Sequence, residues 1–144
     1  MATHASAPGA NLEAKISPFG FRRWSMHYYD CRKQFVPPDT GFSPVPYFLN
    51  CRAIELALKA HLLDQASLKH VKNKFGHNLV AAYNALPQKL KTLSSIEFQV
   101  LNAANDIYKD KGFEYFTLQH TFPGLAQLPD LTALDLVTFK LVAQ

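Results

Sequence analysis

Long apolar runs are missing from this chain. Nowhere do eighteen uncharged apolar residues follow one another, so no segment reads as a membrane span. Cysteine is scarce as well: Cys31 and Cys51 stand 20 positions apart and neither belongs to a CxxC, which excludes a disulfide framework. The opening MATHASAPGANLEAKI has no basic patch followed by an apolar core, so no secretory leader is expected. The resulting expectation is a cytoplasmic protein whose two reduced thiols fill small core positions. Charge of one sign is not concentrated either. Fifteen Lys/Arg face eleven Asp/Glu for a net +4, with nine against five in residues 1–72 and six against six in residues 73–144. So small a surplus, without long basic runs, permits contact with phosphate but does not imply it. The six glycines and nine prolines follow no period, which removes collagen-like and mucin-like readings.

What remains is the composition of one ordinary domain. The chain has 144 residues, 48% of them apolar and 18% charged, enough to build its own core. Residues 1–16 are small and polar and read as a flexible tail, leaving 17–144 as a single domain. Ser17-Pro18 is a helix start, since the serine can cap and proline is pre-set for a first turn. Trp24, Tyr28, Cys31 and Phe35 then recur on a helical spacing and predict the inward face. Pro37, Pro38 and Gly41 end that helix, and Ser43-Pro44 repeats the start signal. From Val45 to Asp64 apolar side chains cover nearly every direction of a helix, which predicts a central, buried element. Ser67–Asn73 predicts a short helical piece ended by Gly76, and Asn78–Lys91 another that Pro87 kinks or ends early. Ser94 and Glu97 form a capping box ahead of a face made by Ile96, Val100, Leu101, Ala104, Ile107 and Tyr108, closed by Gly112. Pro123, Gly124 and Pro129 mark an irregular connection before a terminal helix at Leu131–Val142. The fold class expected is all-α, an up-and-down bundle of about five helices.

Motifs exclude more than they assign. The six histidines form no HExxH, so no metal site is expected, and no GxxxxGK[ST], GxGxxG or GxSxG is present. No cofactor is called for. On the central helix only Arg52, Glu55 and Lys59 share a polar stripe. It can be a solvated salt bridge, or a line turned toward a groove or a second subunit, where buried charges would need partners. In Phe75-Gly76-His77-Asn78-Leu79, Gly76 permits a positive φ and His77 or Asn78 can cap the next helix. His77 could also carry a proton near neutral pH.

AIELALKAHLL (Ala53–Leu63), KFGHNL (Lys74–Leu79) and LNAANDIYKDKGFEYF (Leu101–Phe116), in that order, resemble the HEPN superfamily of small helical proteins. The resemblance covers roughly residues 43–144. It implies a helical bundle that often dimerises and associates with nucleotides or RNA, commonly in toxin–antitoxin or phage-defence settings. Ribonuclease members carry Arg, four to six residues, then His near the start of a late helix. Here Tyr108–Tyr115 holds neither an arginine nor a suitably spaced histidine, and Arg22-x4-His27 fits the formula only in the first helix. The expected function is therefore a non-catalytic module, homodimeric, binding nucleotide, RNA or a cognate protein. Its expected ligand-binding residues are Arg52, Glu55, Lys59, His77, Lys109, Lys111 and Tyr115: the cations on phosphate, Glu55 orienting, Tyr115 stacking on a base or bonding through its hydroxyl. The alternatives are a metal-independent ribonuclease using Arg22 and His27, and an immunity or antitoxin protein that leaves no residue signature.

Overall fold

Ser17 opens the first helix, its hydroxyl accepting the Gly20 N–H at 3.1 Å with Pro18 in the first turn. This computed structural model describes residues 17–39, 41–115 and 128–144. The expected tail at 1–16 and the Pro123–Gly124 part of the connection lie outside the described residues. Among those described there are six α-helices, one 3-10 turn and no strand, so the fold is all-α. The helices are α1 Pro18–Gln34, α2 Val45–Leu62, α3 Leu68–Phe75, α4 Leu79–Asn84, α5 Ser95–Tyr108 and α6 Leu131–Val142.

Helix α2 is the centre. Cys51, Ile54, Leu58 and Ala60 are fully or almost fully buried, and each large aliphatic side chain buried this way stabilises the fold by about 1.5–3 kcal/mol. The cover comes from within one chain: α1, α4, α5 and α6 all pack on α2. Ser25 meets Ala53 and Tyr28 meets Arg52, so α1 runs antiparallel to α2. The terminal helix occupies the expected residues, with Leu134, Val137 and Leu141 inward and Asp130 as its N-cap.

The inward face of α1 is not the one the sequence predicts. Trp24 and Cys31 are exposed, while Gly20 and Ser25 are buried and Phe21, Tyr28 and Arg32 are half-buried. The helix has turned its small residues inward because it lies against Ala53 and Ala57 of α2. The Ser25 hydroxyl donates to the Ala53 carbonyl at 2.7 Å, and Tyr28 and Tyr29 flank the seam. Only Cys51 is a core filler, its thiol pushed well up by burial and by nearby Glu55. In α5 the capping box forms as expected, with Ser94 accepting from the Glu97 N–H and Glu97 accepting from the Ser94 N–H. Ile96, however, is exposed, and the buried face begins further along, at Leu101.

Two helix ends are set by the local breakers the sequence marks. The segment predicted over Asn78–Lys91 stops as an α-helix at Asn84, three residues before Pro87, and resumes only as the turn Gln88–Leu90. The residue before a proline is pushed away from helical angles, which shortens the element upstream. At the end of α5 the Gly112 N–H reaches the Ile107 carbonyl and the Lys111 N–H the Tyr108 carbonyl, a Schellman closure. Its left-handed position falls on Lys111, φ 61°, one residue before the glycine that suits it.

Candidate functional site

The stripe Arg52, Glu55, Lys59 is not solvated. Glu55 is 3% exposed and Lys59 7%, so both charges have left water and must be matched by partners. Glu55 Oε2 receives Lys59 Nζ at 2.7 Å and lies 3.4 Å from Arg52 Nη1. Its Oε1 accepts the Tyr108 hydroxyl at 2.5 Å and lies 3.0 Å from His77 Nδ1. Lys59 Nζ also donates to the Gly76 carbonyl at 2.5 Å. One carboxylate thus gathers side chains from α2, α5 and the turn between α3 and α4.

That turn is shaped to deliver His77. Gly76 takes φ 52° at the C-terminus of α3, a region where a β-carbon is penalised. Asn78, not His77, caps α4 by accepting the Ala81 N–H at 3.0 Å. Asn105 of α5 fixes the same turn, accepting the Leu79 N–H at 2.7 Å and donating to Asn78 Oδ1 at 3.0 Å. With the cap supplied by Asn78, His77 is released toward Glu55.

The electrostatics of the cluster hold it still. Burial works to raise the Glu55 carboxyl, but the Lys59 charge and the hydrogen bonds from Lys59, Tyr108 and His77 outweigh it and keep the group below the usual carboxylate range. Burial, reinforced by the Glu55 charge, pushes the Tyr108 phenol far up, so it remains a donor. For Arg52, burial works against the charge and Glu55 more than compensates, which holds the guanidinium protonated. A carboxylate locked in its ionised form is an anchor rather than a proton carrier.

Beside the cluster lies a cavity of about 320 Å³, lined by Phe21 of α1, by Arg52, Glu55, Leu56 and Lys59 of α2, by Leu68 and Lys72 of α3, and by Gly76 and His77. This is within the size range of small-ligand pockets. Three basic side chains, Arg52, Lys59 and Lys72, line it against one carboxylate. The apolar side chains Phe21, Leu56 and Leu68 share the wall with those charges.

Of the seven residues expected to bind ligand, four converge here: Arg52, Glu55, Lys59 and His77. The other three do not line this cavity. Lys109 pairs with Asp106 at 3.6 Å on the surface, Lys111 is exposed at the end of α5, and Tyr115 is 68% exposed. Arg22 and His27 lie on an unbroken α1, about 140° apart round the helix at 100° per residue. Arg22 instead acts on His61, whose imidazole is held below its usual range by burial first and by the Arg22 charge second, against the pull of Asp64.

Compared with known family models, curated proteins and solved structures, the chain matches none. The site therefore rests on its own geometry. Three participants were missed in the sequence. Tyr108 reads there as one more apolar-face residue, and its hydroxyl carries no signal of a distant carboxylate. Lys72 belongs to a short element, and Phe21, two turns before Tyr28 on the same side of α1, carries no signal that it walls a cavity. No group of three or more candidate metal ligands exists among the described residues. Nor is any described helix long and apolar enough to cross a membrane.

A second polar cluster joins the opposite end of α2 to its neighbours. Arg32 of α1 holds Asp135 of α6 in a two-pronged ion pair at 2.8 and 3.0 Å, and Asn50 Nδ2 donates to the same carboxylate at 2.8 Å. Charge is balanced within this cluster, and it ties three helices together.

Proposed function

We propose that this protein is a non-catalytic, HEPN-like helical module that binds a phosphate-bearing ligand, nucleotide or RNA, in the cavity between α1, α2 and α3. The observation that carries the reading is the charge imbalance: Arg52, Lys59 and Lys72 line a partly enclosed recess that offers only Glu55 in return. Cations gathered where water is partly excluded attract an anion more strongly than the same cations on an open surface. Phe21, Leu56 and Leu68 supply an apolar wall of the kind a base or ribose covers. Glu55 held ionised and Tyr108 held neutral support binding over proton transfer.

Homodimerisation belongs to the same proposal. Leu136 and Phe139, three apart on α6, are 62% and 55% exposed and leave an apolar strip on the surface. Sedimentation at micromolar concentration is expected to give about twice 16.2 kDa.

Thermal unfolding in low salt tests the binding reading. Millimolar adenosine monophosphate is expected to raise the Tm, because a ligand that binds only the folded state stabilises it by mass action. Arg52→Ala is expected to remove the shift. An unchanged Tm together with no heat of binding at low salt overturns the proposal.

A further inference from the structure

The cavity does not stop at its rim. Helix α3, Leu-Lys-His-Val-Lys-Asn-Lys-Phe, carries three lysines and a histidine and no carboxylate. Lys69, Lys72 and Lys74 are exposed, and none of them has an ion-pair partner among the described residues. Lys69 and Lys72 are three apart and share a face, where side chains stand roughly 5–6 Å from one another. Lys72 is also part of the cavity lining, so the basic ridge of α3 begins inside the recess and continues out of it. The far side of the helix presents His70 and Lys74 to a second recess of about 190 Å³, shared with His61.

The charges inside the recess specify more than an anion. Arg52, Lys59 and Lys72 against Glu55 leave a formal surplus of two positive charges. A phosphomonoester carries about −1.5 to −2 at neutral pH and matches that surplus, whereas a diester linkage carries only one charge. Access points the same way. Lys59 is 7% exposed and uses two of its three N–H groups on Glu55 and on the Gly76 carbonyl, so its remaining donor is reached only from within the recess. An internal phosphodiester carries a sugar on either side, whereas a terminal phosphate carries one, so the chain end reaches further into such a recess.

Building on the phosphate-binding reading of this cavity, we propose that its ligand is the phosphorylated end of a single-stranded polynucleotide, whose terminal phosphate sits on Arg52, Lys59 and Lys72 and whose following phosphates run along the lysine ridge of α3. Phe21, Leu56 and Leu68 then cover the terminal nucleoside. The ridge adds affinity by releasing counterions from the strand, at a salt slope of about −0.7 per phosphate contacted.

Fluorescence anisotropy with a labelled ten-nucleotide single-stranded RNA tests this, using three versions: 5′-phosphorylated, 3′-phosphorylated, and hydroxyl-ended. One phosphorylated form is expected to bind at least about tenfold more tightly than the hydroxyl-ended form, and which of the two it is identifies the end recognised. Lys72→Ala, at an exposed position that folding does not need, is expected to erase that preference. Lys69→Ala is expected to weaken the oligomer more than it weakens adenosine monophosphate, and to lower the salt slope by about 0.7. Equal binding of phosphorylated and hydroxyl ends overturns the terminal-phosphate assignment. An oligomer that binds no more tightly than adenosine monophosphate overturns the ridge while leaving a mononucleotide site in place. Retention on vesicles containing phosphatidylserine, with no oligomer binding, assigns the cations to a lipid surface and overturns both. Failure of the mononucleotide and every oligomer alike removes the phosphate-binding reading itself.

Discussion

Lys111 is an L-residue in a conformation that suits glycine. Its φ of 61° closes α5, and a β-carbon there costs about 1 kcal/mol or more. Lys111→Gly is expected to stabilise the protein by about 1 kcal/mol, read as a rise of a few degrees in Tm by calorimetry. A fall in Tm would mean that the lysine side chain compensates through a contact worth more than the strain. His61 and Glu55 are two of the residues that set the response to acid, beside Glu97, which hydrogen bonds from Lys140 and Ser94 hold low. His61 is held below its usual range, so the unfolded chain takes up a proton first and stability falls as pH drops below about 6.5. Glu55 is also held low, so its contribution is complete above the ordinary carboxylate range and is lost as pH falls through its depressed value. Urea titrations are therefore expected to show two acid-dependent losses. His61→Gln should remove the upper one alone, and a flat profile between pH 7 and 5 in the wild type would contradict this. Breaking the buried pair from one side is the severe change. Glu55→Ala strands Lys59 without its carboxylate and is expected to cost about 3–5 kcal/mol.

At the scale of elements, the closest seam is the one between α1 and α2. Ser25 is 1% exposed and faces the Ala53 carbonyl, so nothing larger fits without moving the helix. Ser25→Leu is expected to destabilise by about 1–3 kcal/mol or more through overpacking, whereas Trp24→Leu, on the exposed side, should change stability little. Equal effects would restore the inward face that the spacing of Trp24, Tyr28, Cys31 and Phe35 implies. Helix positions were largely legible in the sequence because caps and breakers act locally: Ser17-Pro18, the Ser94–Glu97 box and the whole of α6 are where the chain places them. The rotation of α1 was not legible. Periodicity finds the apolar stripe of an isolated helix, but the seam with α2 is chosen by close approach of small residues, a property of two helices at once. The same holds for the site. Arg52, Glu55 and Lys59 stand out as three charges on an apolar helix, while Tyr108 and Lys72 join them only through packing of distant segments.

For the whole molecule, α2 is the common neighbour of α1, α4, α5 and α6, so removing its buried side chains is expected to be felt everywhere. Leu58→Ala should cost about 2–5 kcal/mol. Loss of helicity by circular dichroism and of the Trp24 fluorescence signal should still coincide in one transition. Separate midpoints would show that α1, which carries the tryptophan, melts independently of the hub.

An apolar helix wrapped by apolar neighbours has little to tell one rotation from the next, because sliding by a turn exchanges one aliphatic contact for another of similar worth. The two polar clusters remove that freedom. Toward one end Asn50 is bolted to Asp135 and through it to Arg32; about one and a half to two and a half turns on, Glu55 and Lys59 are bolted to Tyr108, His77 and the Gly76 carbonyl. A slip at either end would leave a buried charge without its mate, a penalty of several kcal/mol that no aliphatic repacking offsets. Helix α2 is thus keyed like a shaft with a pin at each end, and the groups that fix its phase are the same ones that set the charge of the cavity beside it.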